Sequence, residues 1–182
     1  MKMIIVKIIV LLVAVIAVVM IIALFTKDKY SLSREVVINK PQQEVFDFIK
    51  FNRNQQSYSK WLSIDPETKI SYKGQPDGNA GSILVFESKS PKAGTGEWET
   101  KKVIPNERLD FELRFLAPFK FTAGGYFLAD SVAANQTKLK WVYNGGMNWP
   151  MNIMLLFMDM DKVVGKDLGE SVNKLKQVVE KQ

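Results

Sequence analysis

The chain has 182 residues, 47% of them hydrophobic and 24% charged, an ordinary globular composition with room for a targeting segment and one domain. It contains no cysteine and no histidine, which excludes disulfides, thiolate or imidazole metal sites, thiol catalysis and a Ser-His-Asp device. Half of the net charge of +6 sits ahead of Tyr30, and the arginines (Arg34, Arg53, Arg108 and Arg114) are scattered, so no nucleic-acid partner is expected.

Residues 4–25, IIVKIIVLLVAVIAVVMIIALF, are interrupted only by Lys7. About 20 apolar residues cross a bilayer as a helix, and a lysine near one end reaches the headgroups. A cleaved signal peptide is the competitor, but its apolar core is shorter and ends in a small-residue site, which bulky Phe25 spoils here. The expectation is a single-pass membrane anchor and short polar exit over residues 1–29, followed by one domain over residues 30–182. Lysines flank the apolar run on both sides, so charge does not fix its orientation. Likeness to export signals places the domain on the extracytoplasmic side.

Tyr30–Asn39 reads as a strand, stopped by Lys40-Pro41; Pro41 suits the first turn of a short amphipathic helix carrying Val45, Phe46 and Ile49. A second short helix is predicted around Asn54–Leu62, broken by Asp65-Pro66. Strand signals follow at Thr68–Tyr72, Ser82–Ser88 and Gly96–Ile104, with YKGQPDGNAG as a loop. Arg108–Phe115 is the cleanest period-two run: Leu109, Phe111, Leu113 and Phe115 alternate with Asp110, Glu112 and Arg114. Phe119–Asp130 and Lys138–Asn144 continue the set, joined by a hairpin turn at Ala134-Asn135-Gln136. Tight turns without intervening helices imply an antiparallel sheet with one wet face.

The end of the chain is predicted as one long helix, capped at Asn148 with Pro150 in its first turn. Leu168, Val172, Leu175 and Val179 form its apolar stripe; Gly165 and Gly169 each weaken it by about 1 kcal/mol relative to alanine and suggest a bend or a close approach to the sheet. Met147, Met151, Met154 and Met158 are spaced four, three and four apart, one stripe of a helix. Sulfurs spread along a helix at about 1.5 Å per residue are too dispersed for one copper(I) ion. Core packing, the wall of an adaptable pocket and a partner-binding groove all remain open readings of the stripe. From Met147 to Met160 the helix is apolar nearly all round, with Asn152 the one polar exception before Asp159, so a loop, a second protomer, a ligand or the bilayer must cover it.

Four local patterns together resemble the START-like superfamily, with its helix-grip fold, and its polyketide cyclase/dehydrase-type branch: VVINKPQQEVFDFI, GTGEWETKKVIPNERLDFEL, TKLKWVYNGG and MDMDKVVGKDLGESVNKLK. The resemblance covers about Tyr30 to Gln177. It implies an α+β fold in which a curved antiparallel sheet of about seven strands wraps a long C-terminal helix. A cavity for lipids, sterols, polyketides or other apolar molecules would lie between the two. In that architecture the expected lining residues are Phe86, Trp98, Phe111, Leu113, Phe115, Tyr126, Leu128, Trp141 and Tyr143 from the sheet. Trp61 joins them at the entrance, as a lid residue or as a staple for the second helix, and Met151, Met154 and Met158 come from the helix. Trp98 and Tyr143 carry polar handles that want partners when buried. Glu97 and Glu99 flank Trp98 and point to water if Trp98 points in; Arg114 belongs to the wet face, and Arg108 is expected to hold its turn. The GTG and AGG runs are read as strand bends or bulges. The functional expectation is membrane-tethered binding, as carrier or sensor, of an apolar small molecule or lipid, without catalytic residue, metal or cofactor. A cyclase or dehydratase using the same cavity is the first alternative. A protein-interaction module using the methionine face is the second.

Overall fold

The structure, a computed structural model, describes residues 2–182. Helix α1 spans Lys2–Phe25, and after three residues β1 (Lys29–Ile38) enters the sheet. The strand therefore begins at Lys29, inside the stretch expected to be linker. Helix α2 (Gln42–Ile49) follows Pro41 and buries Val45, Phe46, Phe48 and Ile49. The predicted second helix is instead three pieces: a 3-10 turn at Asn52–Asn54, α3 at Gln55–Tyr58, and a second 3-10 turn at Trp61–Ser63. Asn52 is the reason. Its buried side chain donates to the Ser82 hydroxyl at 3.0 Å and accepts from Gln55 Nε2 at 3.2 Å, tying this segment to the sheet rather than leaving it free to coil regularly.

Six more strands complete the sheet: β2 (Lys69–Gly74), β3 (Ser82–Glu87), β4 (Thr95–Ile104), β5 (Arg108–Ala117), β6 (Phe121–Ala133) and β7 (Gln136–Gly146). The order is β1-β7-β6-β5-β4-β3-β2, with every neighbouring pair antiparallel. Leu109, Phe111, Leu113 and Phe115 alternate inward along β5, as their period demands. The register slips between Thr95 and Gly96 and again between Thr100 and Lys102, where bulges bend β4. A Cβ on Gly96 would strike the Phe86 ring, so the glycine lets that ring lie against the strand. The result is the helix-grip fold.

The long C-terminal helix does not begin at Asn148. Met151–Leu156 forms 3-10 turns, the chain breaks at Phe157–Asp159, and a π turn at Asp161–Gly165 leads into α4 (Lys166–Glu180). The methionine spacing is thus not a stripe on one α-helix. α4 buries Leu168, Ser171, Val172, Leu175 and Val179 against the sheet. At Gly165 the close approach is to β1: a Cβ there would collide with the Arg34 guanidinium, which pairs with Asp161 at 2.7 Å.

α1 stands out from the domain with its apolar side chains exposed, except near its end, where Ala23 is buried. By length and composition it is able to cross a membrane. Its last turn docks on the segment that replaces the start of the expected helix. The Asn152 amide donates to Ala23 O at 2.7 Å and Thr26 O at 2.9 Å, and the Trp149 indole donates to Met20 O at 3.3 Å.

Candidate functional site

Two halves of the concave sheet face the C-terminal helix differently. Towards the β6–β7 hairpin, Ile38, Leu109, Phe127, Ala129 and Leu139 meet Val45, Phe46, Leu175 and Val179 in a solid core. Towards the other end the side chains do not meet, and a cavity of about 1450 Å³ lies beneath Val164, Leu168 and Ser171. That is larger than an ordinary drug-sized site. The hollow lies beneath the first turns of α4 and the π and 3-10 turns ahead of it, which leave this part of the sheet's inner face uncovered.

Of the expected lining residues, Phe86, Trp98, Phe111, Leu113, Phe115, Trp141 and Tyr143 project into this space from the sheet, and Trp61, Met151, Met154 and Met158 border it from the connecting segments. The rings brace one another. Trp98 stacks on Phe111 at 3.8 Å between centroids, and Trp141 stands edge-on to both. Trp61 abuts Phe115, and its indole donates to Ala93 O at 3.1 Å, so it staples its 3-10 turn to the β3–β4 loop. Met151 and Met154 are exposed at the mouth, while Met158 is half-buried.

Tyr126 and Leu128 are corrections: neither borders the cavity. The pairing of Leu109 with Phe127 and of Phe127 with Trp141 sets the parity of β6, putting Phe127 and Ala129 inside and Tyr126 and Leu128 outside. The Arg108 guanidinium lies over the Tyr126 ring at 3.9 Å and bonds Asp110 at 2.7 Å, an outer-face cluster rather than a turn clamp. Glu97 and Glu99 lie behind Trp98, where Arg114 bonds both, at 2.9 and 2.6 Å.

Sequence reasoning missed Phe119, Phe121, Trp149 and Val163, which border the cavity while remaining exposed. The signal was present in the β5–β6 connection, Leu116-Ala117-Pro118-Phe119-Lys120-Phe121, an apolar hairpin tip where polar turn residues are usual. Leu84, Ala123 and Tyr30 were also missed.

The interior is electrostatically quiet. Burial pushes the Tyr143 and Tyr30 phenols above their ordinary pKa, so both stay neutral. Among the described residues, the Trp98 and Trp141 indole nitrogens and the Tyr58 hydroxyl have no hydrogen-bond partner in the protein. The carboxylates bordering the cavity, Asp28, Glu112 and Asp167, are all at least partly exposed. Apolar burial is what such a site offers a guest.

This combination of sheet, gripped helix and open-mouthed apolar space defines a helix-grip domain. No family model and no curated protein sequence matches the chain. Solved structures do, at the level of fold. Norcoclaurine synthase from Thalictrum flavum, in complex with dopamine and hydroxybenzaldehyde, is 10% identical with a TM-score of 0.59, over 89% of this chain and 92% of its own. The Zhui aromatase/cyclase from a Streptomyces species is 13% identical (TM-score 0.57; 84% and 94%). The Aha1 dimer from Colwellia psychrerythraea is 13% identical (TM-score 0.56; 83% and 96%).

Proposed function

We propose that this protein is a membrane-tethered binder, a carrier or sensor, of an apolar small molecule or lipid, held between the sheet and the C-terminal helix. The supporting observation is the cavity of about 1450 Å³ walled by Trp98, Phe111, Phe115, Trp141 and the methionine segment. Each Å² of apolar guest surface removed from water contributes about 25 cal/mol before the cost of association is subtracted. Thioether side chains at the mouth adapt to guests of different shape. α1 supplies the tether: its apolar span of 23 residues rises roughly 35 Å, against a hydrocarbon core of about 30 Å. The helix-grip neighbours include a synthase and a cyclase. The carboxylates that border it are all at least partly exposed, so the cavity gives more support to binding than to acid–base chemistry.

The test is titration of the full chain, in detergent micelles, with dansyl undecanoic acid, an apolar probe that brightens when buried. Saturable binding is expected. Ala123→Phe, which pushes a ring into the cavity from β6, is expected to lower affinity at least about tenfold with little change in unfolding temperature, because the added carbons enter empty space. Equal affinity in both proteins would refute a guest in this cavity.

A further inference from the structure

We propose that the cavity opens onto the bilayer itself, so that its guest is a membrane-resident apolar molecule that enters from the lipid rather than from water. This rests on the tethered-binder reading and deepens it.

The mouth is apolar where a water-facing mouth would be polar. Phe119, Phe121, Trp149, Met151, Met154 and Val163 all border the cavity and are all exposed, Phe119 to 78%. Next to them on the Met151–Leu156 segment and just beyond it, Leu156 and Phe157 turn outward, Phe157 to 84%. A ring of exposed apolar side chains around one mouth marks a membrane or partner surface.

The position of α1 selects the bilayer. β1 begins opposite Gly146 at the end of β7, and Phe121 opens β6 opposite Phe115, so the N-terminus of β1, the C-terminus of β7 and the β5–β6 tip share one end of the sheet. α1 enters at that end. Ala23 O in its last turn and Thr26 O just past it are held by Asn152, which is only 2% exposed, and Met20 O by Trp149, both from the segment that forms the mouth. The Met147 backbone amide donates to Asp28 O at 2.9 Å, closing the junction. No slack separates the helix from the rim. Wherever α1 spans a bilayer, the rim is therefore held at the surface from which its last turn emerges.

Trp149 is an amphipathic ring at that level, as interfacial residues are. Lys27, Lys29 and Lys120 are exposed beside the rim, where they would meet anionic headgroups. A second copy of the chain would offer the same lysines to each other, which argues against self-association through this face.

The chain lacks cysteine, so single cysteines report position cleanly. The full chain, carrying a nitrobenzoxadiazole label at Phe119→Cys, Phe157→Cys, Val132→Cys or Val15→Cys, is reconstituted into phosphatidylethanolamine–phosphatidylglycerol vesicles with nitroxide lipids. Val132 lies at the opposite end of the sheet and Val15 within α1; all four side chains are exposed, so labelling does not disturb the core. Labels at 119 and 157 are expected to be quenched several-fold more by shallow nitroxides than the label at 132, with 15 quenched by deep ones. Quenching at 15 but not at 119 and 157 overturns the bilayer-facing mouth and leaves the tether standing. Absence of quenching at 15 removes the tether and this proposal with it. Disulfide dimers of Phe119→Cys without lipid quenching would assign the patch to a second copy and likewise overturn the proposal.

Discussion

The two ends of the same sheet are built to opposite specifications. At the hairpin end, β1, β7, β6 and β5 close over α2 and the last turns of α4, and Ile38, Leu139 and Leu175 have no exposed surface. At the α1 end the same strands carry larger rings, yet they surround an empty volume. The difference lies in what faces them. The solid half meets the later turns of α4, presenting Val172, Leu175 and Val179 at helical spacing. The hollow half meets the first turns of α4 and the π and 3-10 turns ahead of it, where Asn152 is drawn towards α1 and Leu156 towards the exterior. Stability is concentrated in one half, and space for a guest in the other.

Truncation would separate the halves most strongly. Leu175→Ala is expected to cost about 2–5 kcal/mol in urea unfolding, since it opens a void in close packing. Leu113→Ala, a chemically identical change at the cavity wall, enlarges a space that already exists and is expected to cost clearly less while altering affinity for an apolar probe. Equal losses at both positions would show that the hollow half is as tightly packed in solution as the solid one.

A smaller effect concerns the junction. In Asn152→Ala the carbonyls of Ala23 and Thr26 lose their buried donor, an expected cost of about 1–3 kcal/mol. Because the loss falls on the docking of α1, cleavage by trypsin after Lys27 should accelerate before global unfolding does. Unchanged cleavage would mean that the junction is held without Asn152.

How far the sequence disclosed each half follows from the same contrast. The α4 stripe and the β5 alternation were legible because burial on one face imposes a period, and the structure buries each of those residues. The start of the C-terminal helix was misread because the methionine spacing satisfies helical geometry. The competing demand, donors for the final carbonyls of α1, is a long-range one that local spacing does not carry. Asn152 was visible as the lone polar residue of an apolar run, but its partners lie more than a hundred residues earlier. Tyr126 and Leu128 failed for a different reason. Three large apolar residues in a row, Tyr126-Phe127-Leu128, leave strand parity undetermined, and only the pairing with Leu109 and Trp141 decides it. The cavity-wall aromatics on β4, β5 and β7 fell where alternation placed them, whereas the exposed rim went unseen because exposure of apolar groups is what the pattern argues against.

The smallest effect lies on the outside of the hollow half. Behind Trp98 and Leu113, Arg114 bonds Glu97, Glu99 and Glu112, while Lys73 and Lys101 bond Glu97 and Glu99. A wall that borders the cavity on its inner side is thus laced across β2, β4 and β5 on its outer face. Lys73 first and then Arg114 hold the Glu97 carboxyl below its usual range, and Lys101 and Arg114 do the same for Glu99. A depressed carboxylate pKa stabilises the fold above the unfolded value of about 4.5, and that contribution disappears as pH falls through the lower, folded value. These groups are near the surface, so each pair contributes only about 0–1 kcal/mol. Between neutral pH and pH 5 the wild-type stability should be flat with respect to these glutamates, and below about 4.5 it should decline more steeply than in Arg114→Gln, which retains only the lysine partners. Urea unfolding of both proteins across that range measures the slopes. Parallel slopes would show that the outer lattice does not brace the hollow wall, and that the rings lining the cavity hold their positions by leaning on one another.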